Sequence, residues 1–158
     1  MRMLALSTSG PIASACLLRD GVIKTYVQSE GAGTHSETLM PLIDRLLANA
    51  KLTPPAIDLF AADTGPGSFT GVRIGVCAVN AMAFAAQRAV VGVSSLAALA
   101  YGRAGFVCAL LDARNGNGYA ALFSHGVCTL PPCAIVVEDF LAAVPTGTLF
   151  VGDGALTH

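Results

Sequence analysis

The chain has 158 residues, 54% of them hydrophobic and 12% charged, with a formal net charge of −1. That length builds one ordinary domain, or two small subdomains, around a real core. The nine Lys and Arg residues are spread thinly with no run among them, which excludes the electrostatic footprint of a stand-alone nucleic-acid binder.

So apolar a composition predicts surface that meets a partner. Five cysteines without a C-x-x-C pair exclude a disulfide framework and a zinc knuckle, and point to buried, reduced thiols.

At the N-terminus, Met1 to Ser7 reads as a first strand rather than an export signal, since no long apolar region ends in a cleavage site. A cytoplasmic protein is expected. Residues 2–8, 12–19 and 22–28 read as three strands joined by Thr8-Ser9-Gly10-Pro11 and Arg19-Asp20-Gly21. The Asp-Gly pair favours a tight hairpin. A polar connection, Ser29-Glu30-Gly31-Ala32-Gly33, leads to a helix opened by Thr34 and Glu37 in capping-box spacing. On that helix Leu39, Leu42, Ile43, Leu46 and Leu47 share one side and Asp44, Arg45 and Asn49 the other. Pro41 predicts a kink or a later start. Thr53-Pro54-Pro55 ends the helix, and a strand follows from Ala56 to Ala62.

Next comes Thr64-Gly65-Pro66-Gly67-Ser68-Phe69-Thr70-Gly71-Val72-Arg73-Ile74-Gly75, a glycine-punctuated loop between a strand and a helix, where α/β proteins hold ligands. It has no lysine, so it is no P-loop. Gly65-x-Gly67-x-x-x-Gly71 is one residue longer than the dinucleotide fingerprint. Two readings stay open. Gly65, Gly67, Ser68, Thr70, Gly71 and Arg73 form either an anion cradle or a structural strand-to-helix turn, with Ser68 or Thr70 capping the helix. Arg73 either reaches an anion or lies along the helix with a solvated head, the second being favoured.

The helix from Gly71 to Ala86 is apolar nearly all round, which predicts burial on more than one face. Gly71 and Gly75 share a stripe that lets another element come close. Arg73, Asn80, Gln87 and Arg88 interrupt residues 72–102, so buried helices are expected and no membrane span. Beyond lie a strand to Val93, a helix to Tyr101, strands over Phe106–Leu111, Tyr119–Phe123 and Ala134–Val137, a helix from Glu138 to Ala143 and a strand from Thr148 to Val151. Gly102 to Gly105 marks the expected boundary between subdomains 1–103 and 104–158.

Five motifs stand in a fixed order: Ala5-Leu6-Ser7-Thr8-Ser9, His35-Ser36-Glu37, the loop Thr64 to Gly75, Gly92-Val93-Ser94-Ser95-Leu96 and Leu111-Asp112-Ala113-Arg114. Together they resemble the bacterial TsaB (YeaZ) family, well over residues 2–124 and more loosely at Gly152-Asp153-Gly154. The resemblance implies an α/β fold of the actin/Hsp70-like (ASKHA, ribonuclease H-like) kind: a mixed sheet flanked by helices, with a second, partial subdomain. The chain stops at His158 where family members continue, so a shortened second subdomain is expected.

The resemblance also implies a role. It is that of a non-catalytic scaffold in making threonylcarbamoyladenosine at position 37 of tRNA, paired directly with the metal- and nucleotide-holding subunit TsaD. The ATPase TsaE joins the pair, and tRNA is met only through the complex. The partner contacts it implies are His35, Leu39, Leu42, Leu46, Val72, Gly75, Val76 and Val79, with the division between partner surface and core left open. A homodimer through the same self-complementary helices is expected for the chain alone.

No catalytic residue and no metal site are expected. Ser95 and Leu99 stand where the resemblance places the catalytic relative's metal-binding histidines, and His35, His125 and His158 are scattered. Ser7 stands where ATP-hydrolysing members carry an acid. No tightly bound cofactor is therefore expected, and ATP only with partners. Asp112, Arg114 and Asp153 read as turn-satisfying groups. The competing readings are a stand-alone ATP-dependent phosphotransferase and a glycoprotease-like peptidase, for which no triad is visible.

Overall fold

The structure is a computed structural model that describes residues 1–30 and 33–157. Residues 31 and 32 of the connection expected over 29–33, and His158, lie outside the described residues. The chain divides into two compact units, Met1–Val93 and Ser94–His158.

The first unit is a five-stranded sheet in the order β3-β2-β1-β4-β5, built from β1 (Arg2–Ser7), β2 (Ser14–Arg19), β3 (Val22–Gln28), β4 (Leu59–Asp63) and β5 (Ala89–Val93). β1, β2 and β3 are antiparallel, whereas β4 and β5 run parallel to β1. Asp20 and Gly21 both take positive φ in the hairpin turn, at 53° and 79°, as a tight Asp-Gly turn requires. Period-two alternation places Leu4, Leu6, Leu17, Phe60 and Ala62 on one face, where they are buried.

Helix α1 (His35–Ala50) covers that face with Leu39, Leu42, Ile43, Leu46 and Leu47, each stabilising the unit by roughly 2 kcal/mol of burial. Glu37 accepts the Thr34 backbone N–H at 2.9 Å and its hydroxyl at 2.8 Å, which fixes the start. The helix begins at His35 with Pro41 inside it, so the proline does not delay the start. A short 3-10 turn, Pro54–Ala56, takes up Ala56, the residue expected to open the strand, and β4 starts at Leu59 instead.

Helix α2 (Phe69–Ala86) joins α1 on the same face. Its buried residues are Gly71, Gly75, Val79 and Ala83, a single stripe four residues apart. Burial on more than one face, expected from its composition, is not what forms: within this unit the helix lies on one sheet face, and Phe69 and Phe84 are 75% and 87% exposed on the other side. Among the described residues α2 is the helix long and apolar enough, by length and composition alone, to cross a membrane.

The second unit holds a four-stranded sheet, β8-β7-β6-β9, made of β6 (Phe106–Asp112), β7 (Asn117–Ser124), β8 (Val127–Val136) and β9 (Leu149–Val151). β6, β7 and β8 are antiparallel and β9 is parallel to β6. This repeats the order β3-β2-β1-β4 of the first unit, as the expected actin/Hsp70-like fold requires.

Helix α3 (Ser95–Ala100) packs Leu96 and Ala100 with Val107, Ala109, Ala121 and Phe123. That packing places the division before α3, at Val93, and not after it at Gly102 to Gly105. Helix α4 (Val137–Ala143) adds Val137 to a cluster with Cys108, Leu110 and Ala120, and a last turn of helix, α5, spans Gly154–Thr157. The cysteines are free, but Cys77 and Cys128 are exposed, so burial of all five does not hold.

Candidate functional site

The glycine loop closes on the turn after β1. Thr8, 1% exposed, donates its hydroxyl to the Gly71 carbonyl at 2.7 Å. The Ser68 N–H donates to the Ser9 carbonyl at 2.7 Å. His35, the first residue of α1, bonds the Gly10 carbonyl through Nε2 at 2.9 Å.

The glycines are what allow this approach. A Cβ on Gly67 would sit 2.5 Å from the Ser9 carbonyl oxygen, one on Gly71 would overlap the Thr8 carbonyl oxygen, and one on Gly75 would overlap the Thr8 hydroxyl. The chain's own Thr8-Ser9-Gly10 segment occupies the close-approach positions of the loop. Ser68 accepts the Gly71 N–H at 3.2 Å and caps α2. Thr70 is exposed, and the exposed Arg73 lays its guanidinium over the Phe69 ring, 5.1 Å from the centroid.

Asp63, at the end of β4, is the residue the sequence reading passed over. Its Oδ2 accepts the Ser7 hydroxyl at 2.7 Å and the Ser9 hydroxyl as well, and its Oδ1 accepts the Gly65 N–H at 2.9 Å. A carboxylate therefore stands beside the end of β1, where Ser7 itself is neutral. The signal was present in the parallel register, which sets the residue after Ala62 next to Ser7 once β1 and β4 are paired.

The eight partner-contact candidates divide sharply. Leu39, Leu42, Leu46 and Val79 are at most 4% exposed, and Gly75 is buried, all inside the core of the first unit. Of the division left open, these fall on the core side, because the sheet-facing stripe of each helix consists of these residues. His35, Val72 and Val76 are half-buried. The exposed apolar groups are others: Phe69, Phe84 and, on α1, Met40 at 49%.

In the second unit the Asp112 carboxylate accepts the Arg114 N–H at 2.8 Å, and Asp153 accepts the Asp112 N–H at 3.0 Å. A Cβ on Gly152 would overlap the Leu110 carbonyl oxygen, so the Gly152-Asp153-Gly154 turn is moulded to β6. Ser95 is 5% exposed and Leu99 half-buried on α3. Among the described residues no three of His, Cys, Asp and Glu gather in a group able to hold a metal ion.

Residues 25–147 match the family model described as TsaD, tRNA N6-adenosine threonylcarbamoyltransferase. The structure of YeaZ from Pseudomonas aeruginosa superposes with a TM-score of 0.81 and 34% identity, over 97% of this chain and 76% of that one. The chain belongs to the TsaB (YeaZ) family. The tRNA threonylcarbamoyladenosine biosynthesis protein TsaB of Haemophilus influenzae is 38% identical over 124 residues, 75% of this chain and 52% of its own length. An uncharacterised protein of Mycobacterium tuberculosis is 32% identical over 158 residues, 99% of this chain and 73% of its own length. The chain thus spans about half the length of the curated TsaB proteins it matches, 46% to 56%.

Proposed function

We propose that the chain is a non-catalytic subunit in tRNA threonylcarbamoyladenosine biosynthesis, docking on a TsaD-type catalytic subunit through the outer faces of α1 and α2. A TsaE-type ATPase joins the pair, and tRNA is met through the assembled complex. The observation that carries this reading is the outer face of α2. A helix seated on its sheet by four small residues leaves Phe69 and Phe84 in water, an arrangement costly in an isolated protein and suited to a helix of another chain. The names of the TsaB relatives supply the pathway.

Alone, the chain is expected to pair with a second copy across the same face, since a two-fold axis makes one apolar helix flank self-complementary. Light scattering behind a sizing column reads this directly, and a monomer at high concentration would speak against the shared face. Nucleotide hydrolysis, in this reading, is handled by the complex, so calorimetry of the isolated chain should show no tight ATP binding that depends on magnesium.

The deciding experiment mixes this chain with TsaD- and TsaE-type subunits and measures co-purification and tRNA modification, with and without the chain. Phe84→Glu should leave the isolated fold intact and weaken association at least about tenfold. A modification rate indifferent to the chain, or a Phe84→Glu variant that co-purifies as well as the parent, would defeat the proposal.

A further inference from the structure

The second unit carries a cavity that neither the glycine loop nor the α2 face explains. It has a volume of about 610 Å³ and opens between the end of α3 and the β7–β8 hairpin, with Ala100, Tyr101, Arg103, Phe123, His125 and Gly126 among its walls.

Three properties define what it could hold. The first is charge. Among the described residues no carboxylate lines it; the acidic side chains of this unit are Asp112, Glu138, Asp139 and Asp153, none of them in its walls. Arg103 is exposed and makes no ion pair among the described residues, so its guanidinium is available to an anion in the planar, forked geometry that suits phosphate. The nearby carbonyls of Ala98 and Ala100 accept the N–H groups of Tyr101 and Arg103.

The second property is aromatic surface. Tyr101 is 87% exposed, a flat ring presented to solvent at the cavity wall. His125 is held edge-on to Phe106, with ring centroids 6.2 Å apart, and shares a 3.2 Å hydrogen bond between Nδ1 and Ser124 Oγ. The third is room near the backbone: Gly102 and Gly126 take positive φ, 74° and 81°, and have nothing within 4 Å of where a Cβ would stand. A flat ligand can therefore approach the main chain on both sides.

We propose that this cavity binds a nucleotide unit, its base stacked on Tyr101 and its phosphate held by Arg103, with His125 as a second polar contact. That chemistry is shared by a free nucleoside monophosphate and by an unpaired nucleotide of RNA. Stacking on an exposed aromatic ring tolerates any base, so the site reads shape and charge rather than sequence. The proposal does not depend on how α2 is used, and the isolated full-length chain tests it.

The test is amide chemical-shift titration with AMP, adenosine and a 5′-phosphorylated adenine trinucleotide. AMP should shift the amides of Gly102, Arg103, His125 and Gly126 saturably, and adenosine should bind about tenfold or more weakly for want of the phosphate. Arg103→Gln should bring AMP down to the level of adenosine, while Tyr101→Ala should weaken both by roughly 5- to 100-fold.

Both side chains are exposed, so unshifted peaks elsewhere verify the fold of each variant. Tighter binding of the trinucleotide than of AMP assigns the site to RNA, and equal binding assigns it to a free nucleotide. The proposal is overturned if AMP up to about 10 mM leaves these amides unmoved, if the shifts fall at Gly152–Gly154 instead, or if both variants bind as the parent does.

Discussion

Gly75→Ala is the sharpest probe of how α2 is seated. In the middle of an exposed helix this exchange would stabilise by about 1 kcal/mol. Here the new methyl overlaps the Thr8 hydroxyl, which is buried and bonded to the Gly71 carbonyl at 2.7 Å. Relieving that overlap costs about 1–3 kcal/mol as overpacking, and displacing the hydroxyl forfeits a hydrogen bond worth about 1 kcal/mol. The net expectation is a loss of roughly 1–3 kcal/mol, opposite in sign to the propensity.

Thr8→Ala should restore most of it. Once the hydroxyl is gone the nearest remaining atom is the Cβ of residue 8, at 3.6 Å, an ordinary contact. The double variant should therefore be more stable than the sum of the singles by about 1–2 kcal/mol. Thr8→Val keeps the branched shape in place of the hydroxyl and should rescue nothing. Urea unfolding followed by circular dichroism gives the global values, and hydrogen exchange of the α2 amides localises them, because two units need not unfold in one step. If Gly75→Ala is neutral or stabilising, or if Val at position 8 rescues as well as Ala, the seating of α2 is not set by this contact.

Two other predictions concern titratable groups. The Glu37 carboxyl is held below the usual glutamate range by the Thr34 backbone N–H and then by the Thr34 hydroxyl. Its lowered folded value means that its contribution is present above the ordinary glutamate pKa and lost as pH falls through the folded one; Glu37→Gln should flatten that part of the acid profile of helix α1, read by amide exchange. Burial, with a smaller contribution from the Cys133 thiol, pushes Cys108 up to about 11, so at pH 8 only about one Cys108 in a thousand is thiolate. A thiol reagent followed by mass spectrometry should therefore modify the exposed Cys77 and Cys128 first and Cys108 last, and early labelling of Cys108 would contradict its burial.

Local chemistry was what the sequence displayed most clearly. The Asp20-Gly21 turn, the Thr34–Glu37 cap and the glycine loop each specify a backbone event within a few residues, and all three form. Long-range partners were harder to read. The first part of β8 was hidden by Pro131 and Pro132, which disfavour a strand unless it lies at a sheet edge, and β8 is an edge.

The two flanks of α2 were left undivided for a related reason. Apolar content alone does not say which flank faces inward, and close seating on a sheet selects Gly71, Gly75 and Ala83 for the inside while Phe69 and Phe84 stay out. Among the candidate partner residues the leucines of α1 were already at sheet-facing positions, and only pairing of the strands shows that the sheet is there to receive them.

Ser7 illustrates how a residue read in isolation can mislead. The neutral hydroxyl at the end of β1 suggests a strand end without charge, yet Asp63 brings a carboxylate to the same place from β4. A carboxylate has about four acceptor positions, and at least three are filled by Ser7, Ser9 and the Gly65 N–H. The group therefore acts first as the bolt that ties β1, β4 and the glycine loop together.

An exchange of positions tests this. Asp63→Asn leaves one donor facing an amide N–H₂ and should cost about 1–2 kcal/mol. Ser7→Asp alone sets two carboxylates side by side and should destabilise while raising the pKa of one of them. The two changes together move the charge from β4 to β1 across a 2.7 Å contact and should recover stability relative to either single. If Ser7→Asp alone is as stable as the exchanged pair, the carboxylate is not held by this network and its role lies elsewhere.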